Sequence, residues 1–470
     1  MNDQEMRALL QQALDAAVAY RGEVGERAQR PELDYAALRA RFDRSVPEHG
    51  APPREVIAEL IVNAEGGLAA MTGPRFFGWV IGGTEPAGVA ADWLTSAWGQ
   101  NAGNALATPS ASAVEEVAGR WLLELMDLPR ESSIGFVTGA TMANFTCLAA
   151  ARGEVLRRVG WDVESQGLFG APPINVVLGA EAHSTVFSAL KYLGLGAQRV
   201  ISIATDANGL MRADAFADAM APLTGPIIVI AQAGHINSGG FDPFTEIAPI
   251  VKAKQAWLHV DGAFGLWARA AKDLAHLARG VELADSWGTD GHKWLQTPHD
   301  SGYAIVRHAE AHRRAMVIAA SYLPEGEHRH PADYVPELSR RARGFATWAM
   351  IKSLGRDGIA AMVNRHCAQA RRFADKLAAS PDVEIVNEVV LNQVAVRFGK
   401  GMDDARADAL TLKVIDRIQQ DGVCFVGGAH WRGHQIMRIS VIGAATTDSD
   451  VDRSAEAMLS AWRAVRGANA

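Results

Sequence analysis

The sequence predicts an α/β protein centred on a mostly parallel sheet of seven strands, covered by helices on both faces. Two observations carry this. Short apolar runs recur through the middle of the chain with helical segments between them: 134–137, "INVVLG" at 174–179, "RVISIA" at 199–204, "PIIVIAQAG" at 226–234, "AWLHVDG" at 256–262 and "ADSWGTD" at 284–290. Strands joined through crossover helices lie parallel in one sheet. The run at 226–234 is also apolar without alternation, as a strand buried on both faces must be.

At 470 residues the chain exceeds one ordinary core, so two or three domains are expected. We place a helical N-terminal arm at 1–73, a large domain at 74–344 and a small α/β domain at 345–470. The net charge of −7 comes without any basic run, which disfavours nucleic acid and anionic membranes as partners. Cys147, Cys367 and Cys424 lie too far apart for a metal-type spacing, so no metal is expected. The N-terminus lacks a charged-then-apolar signal pattern and no apolar run reaches bilayer length. The expected location is the cytoplasm.

Asn2 or Asp3 caps a first helix with Met6, Leu9, Leu10, Ala13 and Ala17 on one face, and a second helix spans Pro53–Glu65 with Val56, Ile57, Leu60 and Ile61 at helical spacing. Such stripes need a cover, either a second subunit or the chain itself. The Gly-, Pro- and aromatic-rich 71–88 reads as an ordered loop, where Phe76, Phe77 and Trp79 either line a pocket or simply pack. A helix over Ala111–Met126 is expected to turn Val114, Val117, Trp121, Leu122 and Leu125 inward. Beyond an antiparallel strand at 300–307 lies a polar, proline-bearing loop containing Tyr322 and Tyr334. Two helices joined at "GRDG" follow, and then strands "VEIV", "QVAVRF", "VCFV" and "IMRISVI" with helices at 404–420 and 448–465.

Ligands of open parallel sheets sit outside the carboxyl ends of the strands. Four chemically suggestive stretches fall there. Thr138-Gly139-Ala140-Thr141 runs from strand into helix, offering free N–H groups and a positive dipole end to a phosphate. His183, Asp261 and Lys293 each lie just past another strand. An ammonium drawn out of water beside a buried strand is a usable amine nucleophile near neutral pH. With an aspartate to partner a ring nitrogen, Lys293 and Asp261 suggest a pyridoxal phosphate site. Taken alone, the pair reads more readily as a solvated lysine and a turn aspartate.

Several motifs, in order, resemble the group II pyridoxal-phosphate-dependent decarboxylases of fold type I, the family of aromatic L-amino-acid, glutamate and 2,4-diaminobutyrate decarboxylases. They are "GPRFFGWV", "TGATMAN", "AEAHSTV", "GGFDPF", "WLHVDGAFG", "DGHKW", "PELSRRARGF" and "MRISV". The resemblance implies a lyase of amino-acid metabolism that works as a homodimer with its site at the subunit interface. It implies Lys293 as the Schiff-base lysine, His292 at the phosphate, and Asp261 on the pyridinium nitrogen. His183 would stack on the ring, with Ala263 under the opposite face, and Gly139, Ala140 and Thr141 would bind phosphate. Tyr334 is the positional match for a proton-donating loop tyrosine. Thr72, Phe76, Phe77 and His235 are the candidate substrate-pocket residues.

Three departures stand out. Gly234-His235-Ile236 replaces the family's "GTT", Asp290 takes the place of an asparagine near the phosphate, and the loop after Tyr322 is short. A carboxylate there is costly unless turned away or paired. The expected activity is decarboxylation of an L-amino acid, aromatic by the lean of Phe76, Phe77 and Trp79, to an amine and CO2. An aldehyde synthase, a carbon–carbon lyase and a catalytically silent binding homologue are the alternatives.

Overall fold

The computed structural model describes residues 1–318 and 328–468, so Tyr322 and its neighbours lie outside the described residues. The chain divides into two compact units, one of 84–374 with 385–395, the other of 1–83, 375–384 and 396–470. They are not consecutive segments. Residues 345–374 belong with the sheet-bearing unit because Thr347 Oγ1 bonds the Tyr303 hydroxyl at 2.9 Å and a side chain on Gly88 would strike Met350 Sδ at 3.1 Å.

In the larger unit, strands β1 (Ser133–Val137), β2 (Asn175–Gly179), β3 (Ile201–Ile203), β4 (Ile227–Gln232), β5 (Trp257–Asp261), β6 (Ser286–Asp290) and β7 (Gly302–Val306) form one sheet of order β1-β7-β6-β5-β4-β2-β3. Only β7 runs against its neighbours, β1 and β6. In register, Gln232 lies beside Asp261 and Asp261 beside Gly288, so β4, β5 and β6 end at nearly one level. That level carries the site. Between β5 and β6 the chain makes three short 3-10 helices where the sequence suggested a helix.

The helix from Ala140 to Arg157, which follows β1, lies across the sheet centre on Ala143, Cys147, Ala150 and Ala151, all buried. Small residues bring its axis close: a side chain on Gly288 would meet Asn144 Oδ1 at 2.6 Å. The expected helix spans Pro109–Leu125, but its inward stripe is rotated, with Val114, Val117 and Trp121 only partly covered. The reason is Glu115, fully buried and paired in two hydrogen bonds with Arg340 at 2.8 and 2.7 Å.

The smaller unit opens with helices Asp3–Glu23, capped by Asn2 in a capping box, Tyr35–Phe42 and Pro53–Ala64. Its four-stranded sheet pairs β8 (Val383–Ile385) and β9 (Gln393–Phe398) with the hairpin of β10 (Gly427–Trp431) and β11 (His434–Ser440). The expected strand "VCFV" is displaced to Gly427–Trp431, and Phe425 makes an isolated bridge with Phe76 instead. The hairpin turn needs two left-handed residues, which Arg432 (φ 53°) and Gly433 (φ 87°) supply. Arg75 is 3% exposed, bonding Val423 O at 2.8 Å, Gly25 O at 2.5 Å and Asp450 Oδ1 at 3.2 Å. Among the described residues no helix is long and apolar enough to cross a membrane.

Candidate active site

Lys293 follows β6 and is anchored by what comes after it. Trp294 and Leu295 are fully buried, and the Trp294 indole donates to His366 Nδ1 at 2.9 Å, so the turn is fixed and the lysine is aimed across the strand ends. Its Nζ lies 3.0 Å from Asp290 Oδ2 and 5.7 Å from the centre of the Phe264 ring.

Asp261 ends β5 at 5% exposure. Burial pushes its carboxyl up, and the nearby His183, Lys293 and Asn144 pull the other way. The Ala263 N–H donates to its Oδ1 at 3.3 Å, which sets Ala263 in the turn beside it. Behind Asp261 runs a buried chain: the Trp257 indole donates to Ser286 Oγ at 2.8 Å, Ser286 Oγ lies 2.9 Å from His259 Nδ1, and His259 Nε2 lies 3.0 Å from Asn144 Oδ1. The Asn144 amide nitrogen is buried and reaches no hydrogen-bond partner, yet it still favours the ionised form of Asp261. His183 caps the helix Ser184–Tyr192, its Nδ1 2.8 Å from Thr185 Oγ1.

At the end of β1, Gly139 precedes the helix start in extended backbone. It is glycine for want of space. A side chain there would meet His292 Cε1 at 3.2 Å and Asp290 Oδ1 at 3.4 Å, and one on Gly302 would strike Gly139 Cα at 2.5 Å. The Ala140 N–H, first donor of the helix, gives its hydrogen to Asp290 Oδ1 at 2.6 Å, and Thr141 follows it on the first turn. His292 lies 3.5 Å from Asp290 Oδ2 and stacks on His299 at 4.2 Å; burial pushes His292 down and takes His299 down to about 4. Asp290 is thus paired, as a buried carboxylate must be, by Lys293 and a helix terminus.

Lys293, His292, Asp290, Asp261, Ala263, His183, Gly139, Ala140 and Thr141 therefore share one sheet edge. His235 does not open onto it. It is 1% exposed, accepts at Nδ1 from Ser238 N (3.3 Å) and lies 3.2 Å from Glu181 Oε2 through Nε2, so it organises its own loop. Tyr334 is placed elsewhere. It ends a 3-10 turn, with its carbonyl against Gly135 and its ring edge-on to His312 at 5.2 Å, and His312 in turn bonds Ser133 at the opposite end of β1 from Gly139. In the smaller unit Phe76 and Phe77 are buried, Phe76 stacked on Phe425 at 4.7 Å, and Thr72 stands beside Tyr20. Sequence reasoning missed Asn144 and His259. The alternation of "WLHVD" was the available signal, since it puts His259 on the same strand face as Asp261.

The strand order, the helix terminus at β1 and the lysine after β6 define a pyridoxal-phosphate-dependent enzyme of fold type I. Residues 36–399 match the pyridoxal-dependent decarboxylase conserved domain, and the chain belongs to that family. It is 25% identical to the aromatic-L-amino-acid decarboxylase of Bacillus atrophaeus, over 96% of this chain and 94% of that one. It is 24% identical to the 4-hydroxyphenylacetaldehyde synthase of Rhodiola rosea, over 93% and 90%. The crystal structure of Oryza sativa TDC with PLP and tryptamine superposes with a TM-score of 0.92 at 24% identity, covering 99% of both chains. The protein is a carboxy-lyase whose cofactor is pyridoxal 5′-phosphate. The residues fit that group: a helix terminus built of small residues at Gly139 and Ala140, a buried carboxyl for a ring nitrogen with the Asn144 amide beside it, and an amine on the same edge.

Proposed function

We propose that the chain converts an aromatic L-amino acid to its amine and CO2 at the edge formed by Lys293, Asp261 and His183. Bound pyridoxal phosphate supplies an electron sink for the pair left on Cα when CO2 departs. Lys293 provides the amine that holds the cofactor. Asp261, buried between His183 and Lys293, offers a fixed negative charge to the ring nitrogen, and a fixed charge in a dry site is worth more than one in water. Gly139, Ala140, Thr141 and His292 would hold the phosphate, and Ala263 and His183 would pack against the ring, with His183 placed to hold a proton for the carbon that loses CO2. The observation that carries this reading is the meeting of lysine, aspartate and histidine from three strand ends beside a helix terminus.

The aromatic preference rests on the likeness to an aromatic decarboxylase and on exposed Trp79, the buried Phe76 and Phe77 being packing residues. We further infer a cytoplasmic homodimer, in which Phe76 and Phe77 pack inside their own unit and do not reach the partner's substrate; exposed Met6, Leu10, Val56 and Leu60 on the N-terminal helices support a covered face. A second reading, favoured by the distant seat of Tyr334, is decarboxylation with oxidative deamination, in which amino acid, O2 and water give aldehyde, CO2, ammonia and H2O2. Purified enzyme is assayed on a panel of L-amino acids for CO2, amine, aldehyde and peroxide. Amine in step with CO2 supports the first reading and aldehyde with peroxide the second; no CO2 from any substrate sinks both. Lys293→Ala is expected to abolish the visible absorbance of the bound cofactor.

A further inference from the structure

Asp290 stands where the family resemblance expects an asparagine, and it is held through both its backbone and its carboxylate. It is 3% exposed. Its backbone is held on both sides, with N donating to Ala263 O at 3.0 Å and O accepting from the Trp267 indole at 2.9 Å. The carboxylate faces three groups, of which two matter most: Oδ1 takes the Ala140 N–H at 2.6 Å and Oδ2 lies 3.0 Å from Lys293 Nζ, with His292 Nε2 at 3.5 Å from Oδ2. These are the two things a phosphate-bearing aldehyde requires. The first N–H of the helix carries much of its positive end, and the lysine amine must be free and uncharged to attack a carbonyl carbon. A second anion seated against Gly139 would meet the charge of Asp290 at close range, since a side chain on Gly139 would already lie 3.4 Å from Asp290 Oδ1. A neutral asparagine of the same shape could satisfy the Ala140 N–H through its carbonyl oxygen without adding charge, and would not hold the lysine as an ion pair.

We propose that Asp290 is the positioning residue that loosens this enzyme's hold on its cofactor, by competing with the phosphate for the Ala140 N–H and by pairing with Lys293. The proposal rests on the reading of this edge as the cofactor's seat. Its consequence is a protein that exchanges pyridoxal phosphate with the medium more readily than an otherwise identical enzyme with asparagine.

The test uses full-length protein freed of cofactor by dialysis, as wild type, Asp290→Asn and Asp290→Ala. Each is titrated with pyridoxal 5′-phosphate and, separately, with pyridoxal, and binding is followed by visible absorbance and tryptophan fluorescence. Asp290→Asn is expected to bind pyridoxal phosphate about tenfold more tightly, which corresponds to ~1.4 kcal/mol of relieved repulsion. Pyridoxal, lacking the phosphate, is expected to gain by a clearly smaller factor. Asp290→Ala should shift in the same direction, so the proposal stays testable if one variant fails to fold. Unchanged or weaker phosphate-ester binding in the folded variants overturns the proposal, as does an equal gain for both aldehydes. If wild type and variants alike take up neither aldehyde, the seat itself is wrongly assigned, and the part given to Asp290 falls with it.

Discussion

His259 Nε2 lies 3.0 Å from Asn144 Oδ1, and this contact fixes which end of the Asn144 amide looks at Asp261. Asn144 Oδ1 can only accept, so His259 Nε2 donates to it and Nδ1 of the neutral ring accepts from Ser286 Oγ, which itself accepts the Trp257 indole N–H. The imidazole proton is then on Nε2, pointing at the Asn144 oxygen, and the amide nitrogen is left facing the carboxylate. Burial keeps the ring neutral by pushing it down to about 3. Asn144→Ala is therefore expected to retain cofactor but lose about tenfold in kcat, the worth of one favourable polar interaction at Asp261. Paired absorbance and steady-state measurements decide it; an unchanged kcat would detach Asn144 from the chemistry.

His259→Ala acts on stability as well. It orphans Ser286 and Asn144 in a fully buried site, at a cost of ~2–4 kcal/mol, readable as a lowered denaturant midpoint.

The Glu115–Arg340 pair is buried at both ends. Removing one partner leaves an uncompensated charge, so Glu115→Ala should destabilise by ~3–5 kcal/mol. Replacing both with apolar residues of similar volume should cost much less. Urea unfolding of the single and double variants tests the difference, and equal losses would refute it.

Acid stability follows from the buried histidines. His259 and His312 both fall from 6.5 to about 3 on folding. A depressed histidine binds fewer protons folded than unfolded between those values, so its stabilisation is complete above about pH 6.5 and is lost as pH falls toward 3. Asp242, buried and raised to about 6, runs the other way between 3.8 and 6. His299, down to about 4, and His292 add to the histidine side and Asp261 to the carboxyl side; four groups outweigh two, and unfolding midpoints are expected to fall from pH 6.5 to 4. His312→Asn should flatten that slope, and an unaltered slope would count against the assignment.

Tyr334→Phe is expected to leave CO2 release within about twofold, since the ring packs edge-on to His312. A loss of tenfold or more would restore the tyrosine to the chemistry.

Much of the site was legible in the sequence because strand ends in a parallel sheet converge on one edge, so Gly139, His183, Asp261 and Lys293 could be grouped from linear pattern alone. What escaped was what depends on partners far away in sequence. The stripe of the 109–125 helix was misread because a glutamate normally marks the wet side, and nothing nearby announces that Arg340 will meet it. The hairpin of β10 and β11 hid behind two glycines and an arginine in a left-handed conformation. Tyr334 was chosen by position in a motif, whereas its place is set by packing against His312 and Gly135.

Arg75 ties Gly25, Val423 and Asp450 together, and its ion pair closes a span of 375 residues. Arg75 leaves the ribosome 375 residues ahead of Asp450. While the residues between them are made, the buried Arg75 guanidinium waits without the strand and helix that complete its unit. Contacts of such long separation form slowly and leave apolar surface open meanwhile. The smaller unit is therefore expected to complete its folding only after the larger one, and a slow refolding phase lost in Arg75→Ala would report it.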